Sequence, residues 1–128
     1  FVVFRLPALS KNVRNEIKKS KKIYFYDNGI INAVTGNFSP IHKRKDVGNL
    51  WENYVISERR KYLFQHQLTY ESYFWRTIDY IELQKNNYLA IEIKWNPKTK
   101  VKFSTTFSAA YKHKELVITP ENVEDLLL

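Results

Sequence analysis

Thr77-Ile78-Asp79-Tyr80-Ile81-Glu82-Leu83-Gln84 and Tyr88-Leu89-Ala90-Ile91-Glu92-Ile93-Lys94-Trp95 are two β-favouring runs on either side of Lys85-Asn86-Asn87. Asparagine tolerates the left-handed conformations that a hairpin turn needs, so the pair reads as adjacent antiparallel strands. Successive strand residues point to opposite faces, which sends Glu92 and Lys94 to one side and Ile91, Ile93 and Trp95 to the other. A two-residue loop, Asn86-Asn87, pairs Lys85 with Tyr88 and sets Asp79 opposite Lys94 and Ile81 opposite Glu92. That register gathers Asp79, Glu92 and Lys94 on one face and Ile78, Tyr80, Ile91, Ile93 and Trp95 on the other. A slip of one residue would break the grouping, because it flips every side chain.

On the N-terminal side, Asp46 reads as the cap of the longest helix, Val47 to Gln65, with Val47, Trp51, Tyr54, Val55, Tyr62 and Leu63 as its apolar face. A strand from Tyr70 to Trp75 follows. Beyond Pro97, Ser104 to Lys112 suits a helix, with Phe103, Phe107 and Tyr111 spaced by four. Glu115 to Thr119 is a buried-type strand stopped by Pro120, and Glu121 to Leu128 suits a short amphipathic helix. The order helix, three strands, helix, strand predicts an α/β class with a mixed central sheet flanked by helices. Residues 46–128 form this core, and 1–45 an N-terminal strand and loop extension of the same domain. In that extension Phe1 to Leu6 is a strand closed by Pro7, and Ser10 to Ser20 is polar and Lys-rich with weak helical character. Lys21 to Tyr26 is an aromatic strand ended by an Asn28-Gly29 turn. Ile30 to Val34 adds a helical turn, and residues 36–45 are a loop.

The chain has 128 residues, enough for one buried core, and its 44% hydrophobic content is that of a globular chain. No apolar run reaches the ~20 residues that cross a bilayer, which predicts a soluble domain with no membrane partner, and the absence of cysteine suits a reducing cytoplasm. With no cysteine, disulfide frameworks, thiolate metal sites and cysteine nucleophiles are excluded. Three glycines, Gly29, Gly36 and Gly48, build neither a P-loop nor a dinucleotide fingerprint. The chain lacks Met and opens within a strand, as expected of a piece of a longer protein. A formal charge of +8 attracts phosphate polyanions, with DNA the first partner to consider; the alternative is that lysine serves only solubility.

Two carboxylates and a lysine on neighbouring strands suit metal-assisted phosphodiester hydrolysis. Carboxylates hold Mg²⁺ by one or two oxygens while water and phosphate complete its octahedron, and the lysine offsets charge at the attacking water. The same residues also make a cross-strand ion pair on a wet sheet face. Glu52 lies one helical turn from Gly48, beside the Trp51 and Val55 stripe, and reaches the sheet if Gly48 permits close approach.

Gly48-Asn49-Leu50-Trp51-Glu52-Asn53, Tyr73-Phe74-Trp75-Arg76, Ile78-Asp79-Tyr80-Ile81 and Ile91-Glu92-Ile93-Lys94 occur in that order. With Lys22-Ile23-Tyr24-Phe25-Tyr26-Asp27-Asn28-Gly29-Ile30 and Val117-Ile118-Thr119-Pro120-Glu121-Asn122, they closely resemble the C-terminal domain of unknown function of a family of prokaryotic AAA+ type ATPases. That domain is similar to the PD-(D/E)XK nuclease superfamily. The resemblance implies a restriction-endonuclease-like αβββαβ core and an ATPase domain on the same longer chain. It also implies Asp79 and Glu92 as ligands of Mg²⁺ or Mn²⁺, Lys94 as the catalytic lysine, and Glu52 as an additional catalytic acid. Ile78 stands where the superfamily's nominal proline precedes the aspartate.

Other polar groups offer less. His42, His66 and His113 have no ligand spacing. Lys98, Lys100 and Lys102, or Arg59-Arg60-Lys61, could track a phosphate backbone, but a solvated face is the better reading of any single one. Tyr24, Phe25, Tyr26, Tyr73, Phe74 and Trp75 suit base stacking or, at strand spacing, the core. The expected function is a nuclease-like, DNA-interacting module of an AAA+ ATPase. The alternatives are a non-catalytic nucleic-acid- or protein-binding module and a purely structural oligomerisation domain.

Overall fold

The structure is a computed structural model that describes residues 2–10 and 21–127, so the Lys-rich segment read between Ser10 and Ser20 falls almost wholly outside the described residues. Strands β1 (Val3–Leu6) and β2 (Lys22–Phe25) pair antiparallel and lead into helix α1 (Asn28–Thr35). A 3₁₀ turn at Ile41–Lys43 precedes the long helix α2 (Val47–Gln65). Then come β3 (Glu71–Trp75), β4 (Ile78–Gln84), β5 (Asn87–Ile93), α3 (Thr105–Ala110), β6 (His113–Ile118) and α4 (Glu124–Leu127). The main sheet runs β3-β4-β5-β6, antiparallel except for the parallel β5–β6 pair, whose crossover carries α3. The mixed sheet and the helix and strand order therefore match the sequence reading. Just beyond β1, Leu9 N donates to Phe74 O (2.8 Å) and Phe74 N to Pro7 O (3.0 Å), so the N-terminal segment lies along the outer edge of β3.

Both sheet faces are covered. On one, Tyr80, Ile91 and Ile93 pack with Val55 and Ile56 of α2, Phe4 and Leu6 of β1 and Leu126 of α4. On the other, Ile78, Ile81 and Ala90 pack with Trp75, Leu9 and the fully buried Phe107 of α3. Burying apolar surface on two sides of one sheet supplies the main driving force of the fold, at roughly 25 cal/mol per Å².

Several local readings are corrected. The hairpin turn is Lys85-Asn86, both at positive φ (48° and 70°), and Gln84 pairs with Asn87. This is still a two-residue loop, so the faces keep their parity, but the register moves and Glu92, not Lys94, comes opposite Asp79. Ile78 joins the α3 side instead of the Tyr80 side, because the β3–β4 ladder shifts between Tyr73 and Trp75. Asn28-Gly29 starts a helix instead of a turn: the Asp27 side chain caps α1 by accepting from Gly29 N (2.7 Å), and the left-handed residue is Gly36 at its end.

Asp46 stands at the N-cap position of α2, where its carbonyl accepts from Leu50 N (3.0 Å), but its side chain makes no capping bond. Its carboxylate is held by Arg44, Nε at 2.8 Å and Nη2 at 2.9 Å, and a two-pronged charged pair outcompetes a single amide. Nor is the inward face of α2 the apolar set expected. Its buried residues are Asn53, Val55, Ile56, Ser57, Arg59 and Leu63, with Tyr54 exposed. Asn53 makes a reciprocal pair with the Phe25 main chain, accepting from N (2.8 Å) and donating to O (2.9 Å), and so ties α2 to β2.

Candidate functional site

At the end of the sheet where β4 begins and β5 finishes, four predicted residues meet in one line of polar contacts. Asp79 N donates to Glu92 Oε1 (3.3 Å), and Ile93 N donates to Asp79 Oδ2 (2.9 Å). Lys94 Nζ lies 3.4 Å from Glu92 Oε2. From α2, Glu52 reaches the same place: its carboxyl is hydrogen-bonded to Asp79, and Tyr24 Oη donates to Glu52 Oε2 (3.1 Å). Asp79, Glu92 and Lys94 are thus brought together by the hairpin, and Glu52 is added by helix packing. Gly48 plays no part in this approach, since a Cβ there would meet nothing within 4 Å.

Crowding acids in a half-buried place shifts their titration. Burial and the neighbouring charge and hydrogen bond of Asp79 push Glu52 up to about 7, against smaller lowering by Lys22 and the Tyr24 hydroxyl. Burial and Asp79 likewise raise Glu92, which Lys94 partly opposes. Burial, then Glu52, pushes the Tyr24 hydroxyl well above its ordinary value, which keeps it a donor. Perturbed acids gathered at a cleft are a frequent mark of a working site.

Glu92 and Lys94 also line a cleft of about 250 Å³ with Thr77, Lys100, Lys102 and Ser104. This places two of the three alternating lysines beside Glu92. By contrast Arg59, one of the basic residues weighed for phosphate, is buried in a bidentate pair with Glu82, Nε to Oε2 at 2.7 Å and Nη2 to Oε1 at 2.8 Å. Of the aromatics weighed for stacking, Tyr24 and Trp75 are core residues.

No group of three or more His, Cys, Asp or Glu among the described residues is arranged to hold a metal ion. The donor set at the sheet end is a pair, Asp79 and Glu92, each with one oxygen fixed by a main-chain amide. The other oxygens, Asp79 Oδ1 and Glu92 Oε2, have no main-chain donor among the described residues. Two hard carboxylates of this kind fit a Mg²⁺ or Mn²⁺ ion that keeps several of its waters.

Residues 47–125 match the family described as "Domain of unknown function (DUF4143)". The chain belongs to this DUF4143 family. Residues 1–41 are similar to a second family, "Domain of unknown function (DUF8612)". No curated protein and no solved structure matches the chain. The DUF4143 match contains Glu52, Asp79, Glu92 and Lys94, whereas Tyr24 and Lys22 come from the DUF8612 part.

Sequence reasoning missed Tyr24 and Lys22 as partners of Glu52. The sequence marked Tyr24 only as one aromatic of a short strand, and only the packing of β2 on α2 shows where its hydroxyl ends. It also missed Glu82, the most deeply buried charge; the signal available was a carboxylate in a strand whose same-face neighbour, Tyr80, is apolar.

Proposed function

We propose that the protein is a nuclease-like, DNA-interacting C-terminal module of an AAA+ ATPase, working in the cytoplasm, with a restriction-endonuclease-like core. The observation that carries this reading is the convergence of Glu52, Asp79, Glu92 and Lys94 at one end of the sheet, beside a cleft lined by Lys100 and Lys102. Asp79 and Glu92 would hold Mg²⁺ or Mn²⁺. The ion supplies a Lewis acid toward a phosphate and a more acidic water. Main-chain amides fix both carboxylates and so set their orientation before substrate arrives. Lys94 places positive charge where a phosphodiester oxyanion develops, and Lys100 and Lys102 receive the flanking phosphates. Glu52, with its proton retained to about pH 7, accepts or returns a proton at the water side of the site.

Metal-dependent cutting of DNA by the wild type, alone or within the ATPase, tests the reading. Lys94→Ala is expected to abolish cleavage with Mn²⁺ binding largely intact, and Asp79→Asn to abolish both. Cutting that survives equally in both variants, or no cutting by any form, overturns the hydrolytic reading. A second reading, a non-catalytic DNA- or protein-binding module of the ATPase, is favoured by the ion pair that already neutralises Glu92 and by the lack of a three-ligand cluster among the described residues. Mn²⁺ titration separates the two.

A further inference from the structure

Of the basic triplet Arg59-Arg60-Lys61, only Arg59 is taken up inside the fold. Arg60 and Lys61 precede Phe64 on α2 by four and three residues, so the three side chains share a face of the helix. With Tyr26 of the N-terminal part they wall a depression of about 370 Å³. Phe64 is the most exposed large apolar side chain among the described residues, at 85%. A lone exposed ring is ordinary on a protein surface, and what sets this one apart is the guanidinium fixed beside it.

Arg60 is exposed yet held in place. Its Nε donates to Tyr26 Oη (3.2 Å), and its guanidinium carbon sits 4.6 Å from the centroid of the Phe4 ring, which itself packs 4.8 Å from the Tyr26 ring. Both partners are neutral. No carboxylate among the described residues pairs with Arg60, and its Nη1 and Nη2 have no acceptor there. A planar fork anchored through one nitrogen loses little side-chain entropy when an anion arrives, and its two unused nitrogens match the two oxygens of one carboxylate.

The surroundings select a peptide over a phosphate chain. Lys61 Nζ is shared with Glu58 Oε1 (2.9 Å), a half-exposed carboxylate whose charge opposes a run of phosphates. Of the two cations in the wall, Arg60 alone lacks a carboxylate partner among the described residues, whereas a nucleic-acid backbone is held by several such cations together. The remaining wall is the Phe64 and Tyr26 rings, which take an apolar side chain. One carboxylate beside one large apolar group is the chemistry of an acidic peptide segment. The place is also separate from the candidate site, since Phe64 follows Glu52 by twelve residues of α2, or ~18 Å at 1.5 Å per residue.

We infer that this face of α2 docks an acidic peptide segment of a partner protein, with Arg60 gripping one Asp or Glu carboxylate and Phe64 and Tyr26 packing against an adjacent aromatic or leucine side chain. It stands apart from the nuclease reading, because none of Glu52, Asp79, Glu92 and Lys94 takes part.

Selection of random 12-residue peptides displayed on phage against the 128-residue chain tests this, followed by titration of the enriched peptides in labelled synthetic form. The enriched peptides are expected to carry Asp or Glu next to an aromatic residue or leucine. Phe64→Ala, at a side chain that supports no core, and Arg60→Met, which keeps the stem over Phe4 and removes the charge, should each weaken their binding by ~10-fold or more with the melting temperature unchanged. Enriched peptides without an acidic residue, or binding indifferent to both variants, overturn the proposal. So does a selection that enriches nothing on the wild type beyond what it enriches on Phe64→Ala. Labelled dT₁₂ or a 12-base-pair duplex whose binding both variants weaken, with no peptide behaving likewise, overturns the peptide as occupant and gives the patch to nucleic acid. A dimer that Phe64→Ala dissociates also overturns it and makes this face a contact between copies.

Discussion

Glu52 faces two opposing demands, a half-buried position and a neighbouring acid, and its proton resolves them. With its folded pKa raised from 4.5 to about 7, the folded chain holds this proton more tightly than the unfolded one. The corresponding stability is complete below about pH 4.5 and is lost as pH rises through about 7. Glu92 shifts in the same direction and adds to the trend. Glu52→Gln, which resembles the protonated acid, is therefore expected to raise the melting temperature at pH 8 by several degrees and to change it little at pH 5. Calorimetry at the two pH values checks this; an equal effect at both would mean that the carboxyl is not strained by ionisation. Much of the site was legible at this scale. Glu92 and Lys94 line one cleft because they are two apart on a strand, whereas Asp79 meets Glu92 through its main-chain amide, where the irregular β4 ladder breaks simple alternation. Glu52 was legible only as a helix residue one turn from Gly48, and the reason given for its approach was mistaken, since Gly48 stands in open space. Tyr24 as its donor depends on a contact spanning 28 residues, which no local pattern encodes.

Helix α2 is fastened to the sheet by charge as well as by apolar packing. Arg59 bonds both oxygens of Glu82 and donates to Leu126 O (2.6 Å) in α4, while Tyr80 Oη (2.9 Å) and Gln84 Nε2 (2.8 Å) complete the Glu82 carboxylate. Burial is the largest single influence and works against the Arg59 charge, but the bond to Glu82 and the charges of Glu82, Tyr80 and Tyr62 together outweigh it, so the guanidinium pKa rises. Removing one partner strands the other without water. Arg59→Ala or Glu82→Ala is thus expected to cost about 3–5 kcal/mol in denaturant unfolding. The double change Arg59→Met with Glu82→Leu should recover part of that loss but not all, because Tyr80, Gln84 and the Leu126 carbonyl would still lack their partner. If the double variant is as unstable as the sum of the singles, the pair is not coupled. At the level of elements the sequence reading located α2 to the residue and placed β3 to β6 within a few residues. It failed where local chemistry had two uses: Asn-Gly at 28–29 as turn or helix start, the Asp46 side chain as capping acceptor or ion-pair partner at the N-cap position it does occupy, Arg59 as surface cation or buried tie. Each was decided by a group from a distant part of the chain or by a neighbour whose pairing was not foreseen.

The whole molecule carries +8, yet its cations are not equivalent. Arg59 is buried against Glu82, Arg44 is taken by Asp46 and Lys61 by Glu58. Lys100 and Lys102 line the cleft beside Glu92, and Lys85 stands at the hairpin turn, the far end of β4 and β5 from Asp79. If the cleft receives a phosphate backbone, each lysine that neutralises a phosphate releases condensed counterions and adds roughly 0.9 to the slope of log affinity against log salt on duplex DNA. Replacing Lys100 and Lys102 together with alanine should therefore lower that slope by about 2 and weaken binding uniformly across sequences, while Lys85→Ala leaves the slope unchanged. The comparison holds net charge loss apart from position: a field spread over the whole surface would make the slope fall with every lysine removed, Lys85 included. Titrations of wild type, the double variant and Lys85→Ala at four or more salt concentrations distinguish the two cases. Equal small decreases in both variants would show that the charge acts only as a diffuse attraction, and the cleft would then lose its claim to the substrate path.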